Sequence, residues 1–333
     1  MILAGDIGGT KATFGLFDSD RAKLKPLAQR TFHTKDFRSL EEMVGVFLSD
    51  RTERISGASF GVAAPIVDGH SESPNIPWSV SPSNLRRQLN IQQVTLINDL
   101  QAMALGIASM PEESFVLLKD GTADPRGCRG VIAAGTGLGE AALSWSPAGY
   151  RILPSEAGHG DFAPRNDLEI ELLRYLLKTF KHASYERVLS GPGLANIYHF
   201  LREFKEASEP AWLTQTFAGR DAGEVITEMA LSARDMICVE AVDLFVSIYG
   251  AEAGNMALNF LATGGIYLGG GIAPKLLPQL MSGGFVKAFT DKGRLSKVLS
   301  RMPVRVIMDT RAPLFGAAQY AWSDLQSNGV LTP

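Results

Sequence analysis

The sequence predicts a layered α/β protein in two domains. Three observations carry this. Short apolar runs of strand length alternate with segments of helical period. An opening pattern of strand, glycine turn and returning strand recurs from residue 131. The 333 residues also exceed the roughly 100–200 that one domain usually holds.

In chain order, residues 2–5 read as a strand, Gly8-Gly9-Thr10 as a tight turn, and Ala12 to Phe17 as a strand returning antiparallel. Ser39 to Leu48 reads as a helix, and Phe60 to Ala64 as a strand closed by Pro65. Val94 to Ile97 is a further strand, followed by a helix over Asp99 to Ile107. A small α/β domain, 1–108, is then complete. Ser109 to Arg129 carries Pro, Gly and Asp without periodicity and reads as the crossover into a large α/β domain, 109–308.

There the opening pattern returns. Val131 to Ala134 is a strand, Gly135-Thr136-Gly137-Leu138-Gly139 a glycine turn, and Ala141 to Trp145 the returning strand, which predicts two like-folded halves. Asn166 to Phe180 places Leu168, Leu172, Leu173, Leu176 and Leu177 on one helical face. Ser190-Gly191-Pro192 starts another helix, with proline in the first turn. Asp235 to about Tyr249 is a long helix, Gly264 to Leu268 a strand ending in Gly269-Gly270-Gly271, and Arg305 to Met308 a late strand. The last helix, Leu314 to Leu325, lies in a C-terminal segment, 309–333, expected to pack back on the small domain.

Composition narrows the function. Forty-five per cent apolar residues exclude disordered and fibrous classes, and 32 basic against 35 acidic residues, spread without runs, leave no footprint for nucleic acid. Cys128 and Cys238 lie far apart without metal-ligand spacing, so a reducing cytosol is expected. Met1-Ile2-Leu3-Ala4 meets Asp6 too soon for a secretory signal. The longest uncharged stretch, between Glu252 and Lys275, holds six glycines and two asparagines, so no membrane span is expected. A cytoplasmic protein is expected.

Glycine turns directly after strands let backbone N–H groups approach a phosphate with no Cβ in the way. Three occur: Gly8-Gly9-Thr10-Lys11, Gly135-Thr136-Gly137 and Gly269-Gly270-Gly271. One alone would read as a plain hairpin. Neither a Walker-type loop nor a GxGxxG fingerprint is present. Asp6, beside the first turn, reads equally as a turn cap or as a carboxylate that tolerates phosphate through Mg²⁺ and its waters.

Asn98-Asp99 closes an apolar strand. Standing alone, Asp99 reads first as the N-cap of the next helix; its sharper reading is a general base that takes a hydroxyl proton during phosphoryl transfer. Glu156, His159 and Glu186 are the residue types that bind sugar hydroxyls with paired hydrogen bonds, although His159 also reads as a structural histidine in a glycine turn and Glu186 as a capping residue. Asn75, in Ser73-Pro74-Asn75-Ile76-Pro77-Trp78, reads first as a turn asparagine.

Together these motifs resemble the bacterial glucokinases: Asp6-x-Gly-Gly-Thr, Ile97-Asn98-Asp99, Gly135-Thr136-Gly137-Leu138-Gly139, Glu156-x-Gly-His159-x-Asp161-Phe162, residues 186–193 (Glu-Arg-Val-Leu-Ser-Gly-Pro-Gly) and Gly269-Gly270-Gly271-Ile272. They run in order over nearly the whole chain. The phosphate loops alone would mark only the wider hexokinase, actin and Hsp70 superfamily; the last three motifs are specific to the family.

The resemblance implies two ribonuclease H-like domains of the actin/hexokinase type with a cleft between them, and ATP-dependent phosphorylation of the glucose 6-hydroxyl. Matched position by position, Asp99 looks like the catalytic base, and Asn98, Glu156, His159 and Glu186 like the sugar ligands, with Asn75 a weaker one. Gly8, Gly9 and Thr10 with Gly135, Thr136 and Gly137 would hold the phosphates, Gly269, Gly270 and Gly271 would lie near the adenosine, and Asp6 would orient Mg²⁺ through water. Lys11 stands where many members have Asn, next to the phosphates.

The cysteine-rich zinc motif of the related repressor and kinase family is absent, as is a DNA-binding helix-turn-helix, which sets the chain with the metal-free glucokinases. Such enzymes are often dimers, so the resemblance allows a homodimer. A kinase for mannose, fructose or an N-acetylhexosamine, and a non-catalytic sugar sensor, are the alternative readings.

Overall fold

Ile-Leu-Ala-Gly-Asp-Ile forms β1 (Ile2–Ile7), the centre of a five-stranded sheet in the computed structural model. The structure describes residues 1–18, 24–64, 66–67, 70–71, 76, 78, 80–147 and 149–327. Asn75 and Pro65 lie outside them, as do residues 328–333 of the C-terminal segment. All of β1 except Asp6 is buried, because paired strands flank it and its faces are covered.

β2 (Lys11–Asp18) returns antiparallel, Ile7 opposite Ala12, and β3 (Lys25–His33) adds an outer antiparallel strand. The sequence reading missed β3. Only Phe32 of its nine residues is buried, so no alternation betrays it. α1 (Leu40–Leu48) starts on Ser39, whose Oγ accepts the Glu42 N–H at 3.1 Å.

β4 (Gly57–Val62) runs parallel to β1. β5 (Ile66–Val67) and β6 (His70–Ser71) form a small separate ribbon, and α2 (Pro82–Leu89) leads into β7 (Gln93–Asn98), parallel to β4. The strand order is β3-β2-β1-β4-β7. Phe14 anchors the core on one face, with ring centroids 5.8, 5.8 and 6.3 Å from Phe32, Phe47 and Phe60.

α3 (Asp99–Gly106) follows β7. Its N-cap is Asn98, not Asp99: Asn98 Oδ1 accepts from Leu100 N at 3.0 Å and from Gln101 N at 3.4 Å, which leaves Asp99 as the first helical residue.

The second sheet begins with β8 (Phe115–Lys119), which stands where the sequence predicts only crossover. Its five residues are flanked by Pro and Gly, and the antiparallel partner that makes them a strand lies nearly two hundred residues away. β9 (Arg129–Ala134) and β10 (Leu138–Ser146) form the repeated hairpin, and β11 (Gly149–Pro154) lies beyond β10.

Helices α4 (Asp167–Leu176), α5 (Gly191–Phe204), α6 (Ala211–Phe217), α7 (Ala222–Leu231) and α8 (Met236–Asn259) follow, then β12 (Gly265–Gly269). α9 (Ile272–Lys275), α10 (Leu277–Met281), α11 (Gly284–Thr290) and α12 (Ser296–Leu299) precede β13 (Val304–Ile307), and α13 (Ala312–Ser327) ends the described chain. β12 is parallel to β9 and β13 parallel to β12, so the order β11-β10-β9-β12-β13-β8 repeats that of the first sheet and adds one strand. Two mixed sheets of matching order are the predicted pair of like-folded halves.

Two helices differ from their predicted extent. α4 ends at Leu176, and Leu177 is exposed while Leu172 and Leu176 are buried. α8 runs ten residues past Tyr249. Gly250, which reads as a stop, lies inside it: a Cβ there would sit 2.2 Å from the Phe285 carbonyl oxygen of α11, so the glycine serves close packing. Fifteen residues of α8 are buried around its circumference, which makes it the axle of the larger core. Among the described residues no helix is long and apolar enough to cross a membrane.

The chain divides into two compact units, Met1–Ser114 with Ala148–Ile152 and Asp309–Pro333, and Phe115–Pro147 with Leu153–Met308. In the first, α13 packs on α3, β1 and β4. The α3–α13 approach is at backbone distance: a Cβ on Gly316 would lie 1.6 Å from the Ala102 carbonyl oxygen, and one on Gly106 2.0 Å from that of Ala312.

Candidate active site

The first unit gathers Asp6, Gly8 to Lys11, Asn98 and Asp99 at the carboxyl ends of parallel strands. Gly8 to Lys11 close the β1–β2 hairpin, with Gly8 N–H donating to Lys11 O at 2.9 Å. Thr34, fully buried, braces the turn from beside it: its hydroxyl donates to Gly8 O at 2.8 Å and its N–H to Thr10 O at 3.0 Å. Nothing in the sequence singled out Thr34. Asn98 has a second bond, Nδ2 to Ala64 O at 3.2 Å, so the residue that caps α3 also ties β7 to the end of β4.

Asp6 feels Asp99. Burial first, and the Asp99 charge second, push the Asp6 carboxyl up to about 7 from its ordinary 3.8. A divalent cation nearby would relieve both effects. Among the described residues no group of three or more His, Cys, Asp or Glu could cage a metal; Mg²⁺ needs only one or two carboxylates plus phosphate and its own waters. Asp6 fits that requirement.

The second unit gathers the remaining residues around Gly135-Thr136-Gly137, the loop of the β9–β10 hairpin. Gly135 N–H donates to Gly137 O at 2.9 Å, and Gly191 N–H, at the start of α5, donates to Gly135 O at 2.8 Å. Ser190 caps α5 by accepting the Gly193 N–H at 3.0 Å. On the other side Glu186 Oε2 accepts the Leu138 N–H at 3.0 Å. A Cβ at residue 137 would stand 2.5 Å from that Oε2, so glycine there gives Glu186 its seat. Glu186 is thus a brace of the glycine loop and caps no helix.

His159 lies in the turn Ala157–His159, its Nδ1 3.9 Å from Glu186 Oε1 and its Nε2 4.0 Å from Glu156 Oε2. The Glu156 side chain is 81% exposed and that of Glu186 25%, so the three present polar atoms at one open surface. Asp161 and Phe162 of the same motif have structural work. Asp161 Oδ1 is 2.7 Å from His182 Nε2, and Phe162 packs edge-on against Tyr185 at 5.7 Å.

A cavity of about 510 Å³ opens beside this loop, lined by Gly135, Thr136, Gly191, Asp221, Gly271 and Lys275 among others. Of the third glycine turn, Gly271 lines the cavity, while Gly269 ends β12 and Gly270, at φ +79°, lies against Ala134. Asp221, the N-cap of α7, and the α7 residues Glu224 and Thr227 line it too, and sequence reading missed them. Their signal was a capping one: Asp221 Oδ1 accepts the Glu224 N–H at 2.9 Å, a D-x-x-E helix start. Glu224 and Lys275 pair at 2.8 Å.

The predicted residues therefore fall into two groups, one on each unit, with Asn75 outside the described residues.

A family model for glucokinase matches residues 3–324. A glucokinase of Nostoc punctiforme is 40% identical over 333 residues, covering 96% of this chain and 98% of that protein. One from Synechocystis sp. is 38% identical, covering 95% and 96%. Among solved structures, a glucokinase from an Antarctic psychrotroph matches with a TM-score of 0.87 at 31% identity over 98% of both chains. A ROK family glucokinase from Streptomyces griseus, in complex with glucose and AMPPNP, shares the fold with a TM-score of 0.61 at 20% identity, over 96% and 98%. With motifs, topology and near-complete coverage in agreement, the chain belongs to the glucokinase family.

Proposed function

We propose that this protein is an ATP-dependent glucokinase that phosphorylates the 6-hydroxyl of D-glucose, with Asp99 as general base. The observation that carries the reading is the placement of Asp99 as first residue of α3, at the carboxyl end of β7 and within the electrostatic reach of Asp6. Asn98 caps the helix, and Asp99 Oδ1 shares the Leu100 N–H at 2.9 Å, which orients the Asp99 carboxylate at the helix start.

In the reaction a bond forms between the sugar O6 and the γ-phosphorus as the bond from that phosphorus to the β,γ-bridging oxygen breaks. Asp99 takes the O6 proton and ADP leaves with the electron pair. Asn98, Glu156, His159 and Glu186 hold the sugar, with Asn75 a further contact. Backbone groups of Gly8, Gly9, Thr10, Gly135, Thr136 and Gly137 receive the phosphates, Lys11 adds a positive charge beside them, and Gly269 to Gly271 with the adjoining cavity receive the adenosine. Asp6 would hold Mg²⁺ through water, and the bound ion would supply charge neutralisation at the phosphates.

The two compact units serve as the small and large domains. We place the protein in the cytoplasm, where Cys128 and Cys238, both free, remain reduced, and the family habit of pairing makes a homodimer the state to look for.

The test couples ADP formation to a readout with Mg-ATP and glucose, mannose, fructose or N-acetylglucosamine in turn. Turnover largely confined to glucose is expected. Preference for another hexose would reassign the substrate, and sugar binding without ADP release would make the protein a sensor.

A further inference from the structure

Two carboxyl groups meet inside the second unit and have no part in the chemistry above. Glu140 of β10 and Glu252 of α8 are 2% and 4% exposed. Two bare carboxylates do not share such a place, whereas one proton between them turns repulsion into a hydrogen bond. Glu140 carries that proton: burial and the charge of Glu252 push its carboxyl up to about 8, and its Oε1 has no hydrogen-bond partner among the described residues.

Glu252 receives the donors. Besides Glu140 it accepts from the Tyr185 hydroxyl and from Asn255 Nδ2 at 2.8 Å. Asn255 Nδ2 also donates to Tyr185 Oη at 3.1 Å, and Asn255 Oδ1 accepts from Lys292 Nζ at 2.5 Å. Lys292 donates as well to Ala251 O at 2.9 Å, and burial holds its pKa down. The other titratable or charged groups facing the cluster are Tyr249, whose hydroxyl donates to Ile132 O at 3.1 Å, and Arg165, Glu169 and Asp291, which act on Lys292.

The placement of this cluster along the chain gives it a consequence. Glu140 is two residues beyond Leu138 on the same strand, so the two share a strand face. Tyr185 is the residue before Glu186. The hydrogen bond from Leu138 N–H to Glu186 is thereby closed into a ring, through Tyr185, Glu252, Glu140 and back along β10 to Leu138.

We propose that the Glu140–Glu252 acid–carboxylate pair positions Glu186, holding its seat on Leu138 while the pair keeps its proton and loosening that seat when the proton is lost. The proposal rests on the reading of Glu186 as a sugar ligand. The pair touches no substrate, so it acts on glucose affinity through Glu186.

The experiment compares the wild type with Glu140→Gln, which still donates to Glu252 and cannot ionise, from about pH 7 to about pH 9.5. Glucose KM and kcat are measured along with hydrogen exchange at the Leu138 amide, corrected for its intrinsic pH dependence. In the wild type KM should rise about tenfold across that range, a change of one decade in affinity, and Leu138 should lose protection. Both should stay level in Glu140→Gln, with the difference between the two proteins lying in KM rather than kcat. Glu140→Leu, which has no donor, should show the raised KM at every pH.

A flat KM and constant Leu138 protection in the wild type would overturn the proposal, as would the same alkaline change in Glu140→Gln. Exchange at Leu138 needs no turnover. A protein that fails to phosphorylate glucose would defeat the functional reading, and the exchange data would still decide the role of the pair.

Discussion

Asp6 and Asp99 are electrostatically coupled across a glycine. Strand pairing sets Asp6 level with Gly61 and Gly61 level with Ile97, and a Cβ on Gly61 would lie 3.7 Å from the Asp99 Cα. No side chain intervenes from β4, so each carboxylate feels the other, which is one of the two reasons that Asp6 titrates late.

Asp99→Asn removes the proposed general base and leaves the cap of α3 intact, because Asn98 holds the Leu100 and Gln101 amides. Turnover should fall by about 10²–10⁴ with the thermal midpoint within about 2 °C of the wild type. Asn98→Ala should do the opposite to stability, costing about 1–2 kcal/mol through the lost cap. Parallel turnover assays and thermal melts separate the two.

The pH dependence of stability has a definite sign at Asp6. Its folded pKa, about 7, lies above the ordinary 3.8, so the stability is complete below about pH 4 and is lost as pH rises through about 7. Asp6→Asn removes the penalty. It should melt above the wild type at pH 8 and with it near pH 4, by an amount on the order of 2–4 kcal/mol at the alkaline end, while activity falls. Thermal melts across that range in the absence of Mg²⁺ are the check, and equal midpoints at pH 8 would refute the late-titrating Asp6.

Glu186→Ala strands the Leu138 N–H and removes a proposed sugar contact, whereas Glu186→Gln keeps an acceptor oxygen. Glucose KM should rise by about thirtyfold or more in the alanine variant, the equivalent of about 2 kcal/mol, and by less in the glutamine variant. Steady-state kinetics at saturating ATP measures both; equal effects would mean that the charge, and not the seat on Leu138, matters.

Gly316→Ala forces a methyl to within 1.6 Å of the Ala102 carbonyl oxygen, where two helix backbones meet and neither is free to give way. A loss of about 3 kcal/mol is expected. Chemical denaturation of the variant is the measurement, and a loss below about 1 kcal/mol would show that α3 and α13 can separate cheaply.

The local signals were legible in the sequence because local chemistry writes them. Asn166, Ser190 and Asp235 each cap the helix that the sequence starts beside them, and both glycine hairpins close the strands predicted for them. The motifs that mark the family were legible in their order, from Asp6 to Gly271, and the two matching sheets follow from the repeated hairpin. What sequence reading missed depends on distant partners. β3 has no buried face to reveal it, β8 becomes a strand only beside β13, and Gly250 reads as a stop until α11 packs against it. The closeness of Asp6 to Asp99, and of Glu140 to Glu252, belongs to the same class. Strand order and burial bring those carboxyls together, and no spacing along the chain records the dielectric they will share.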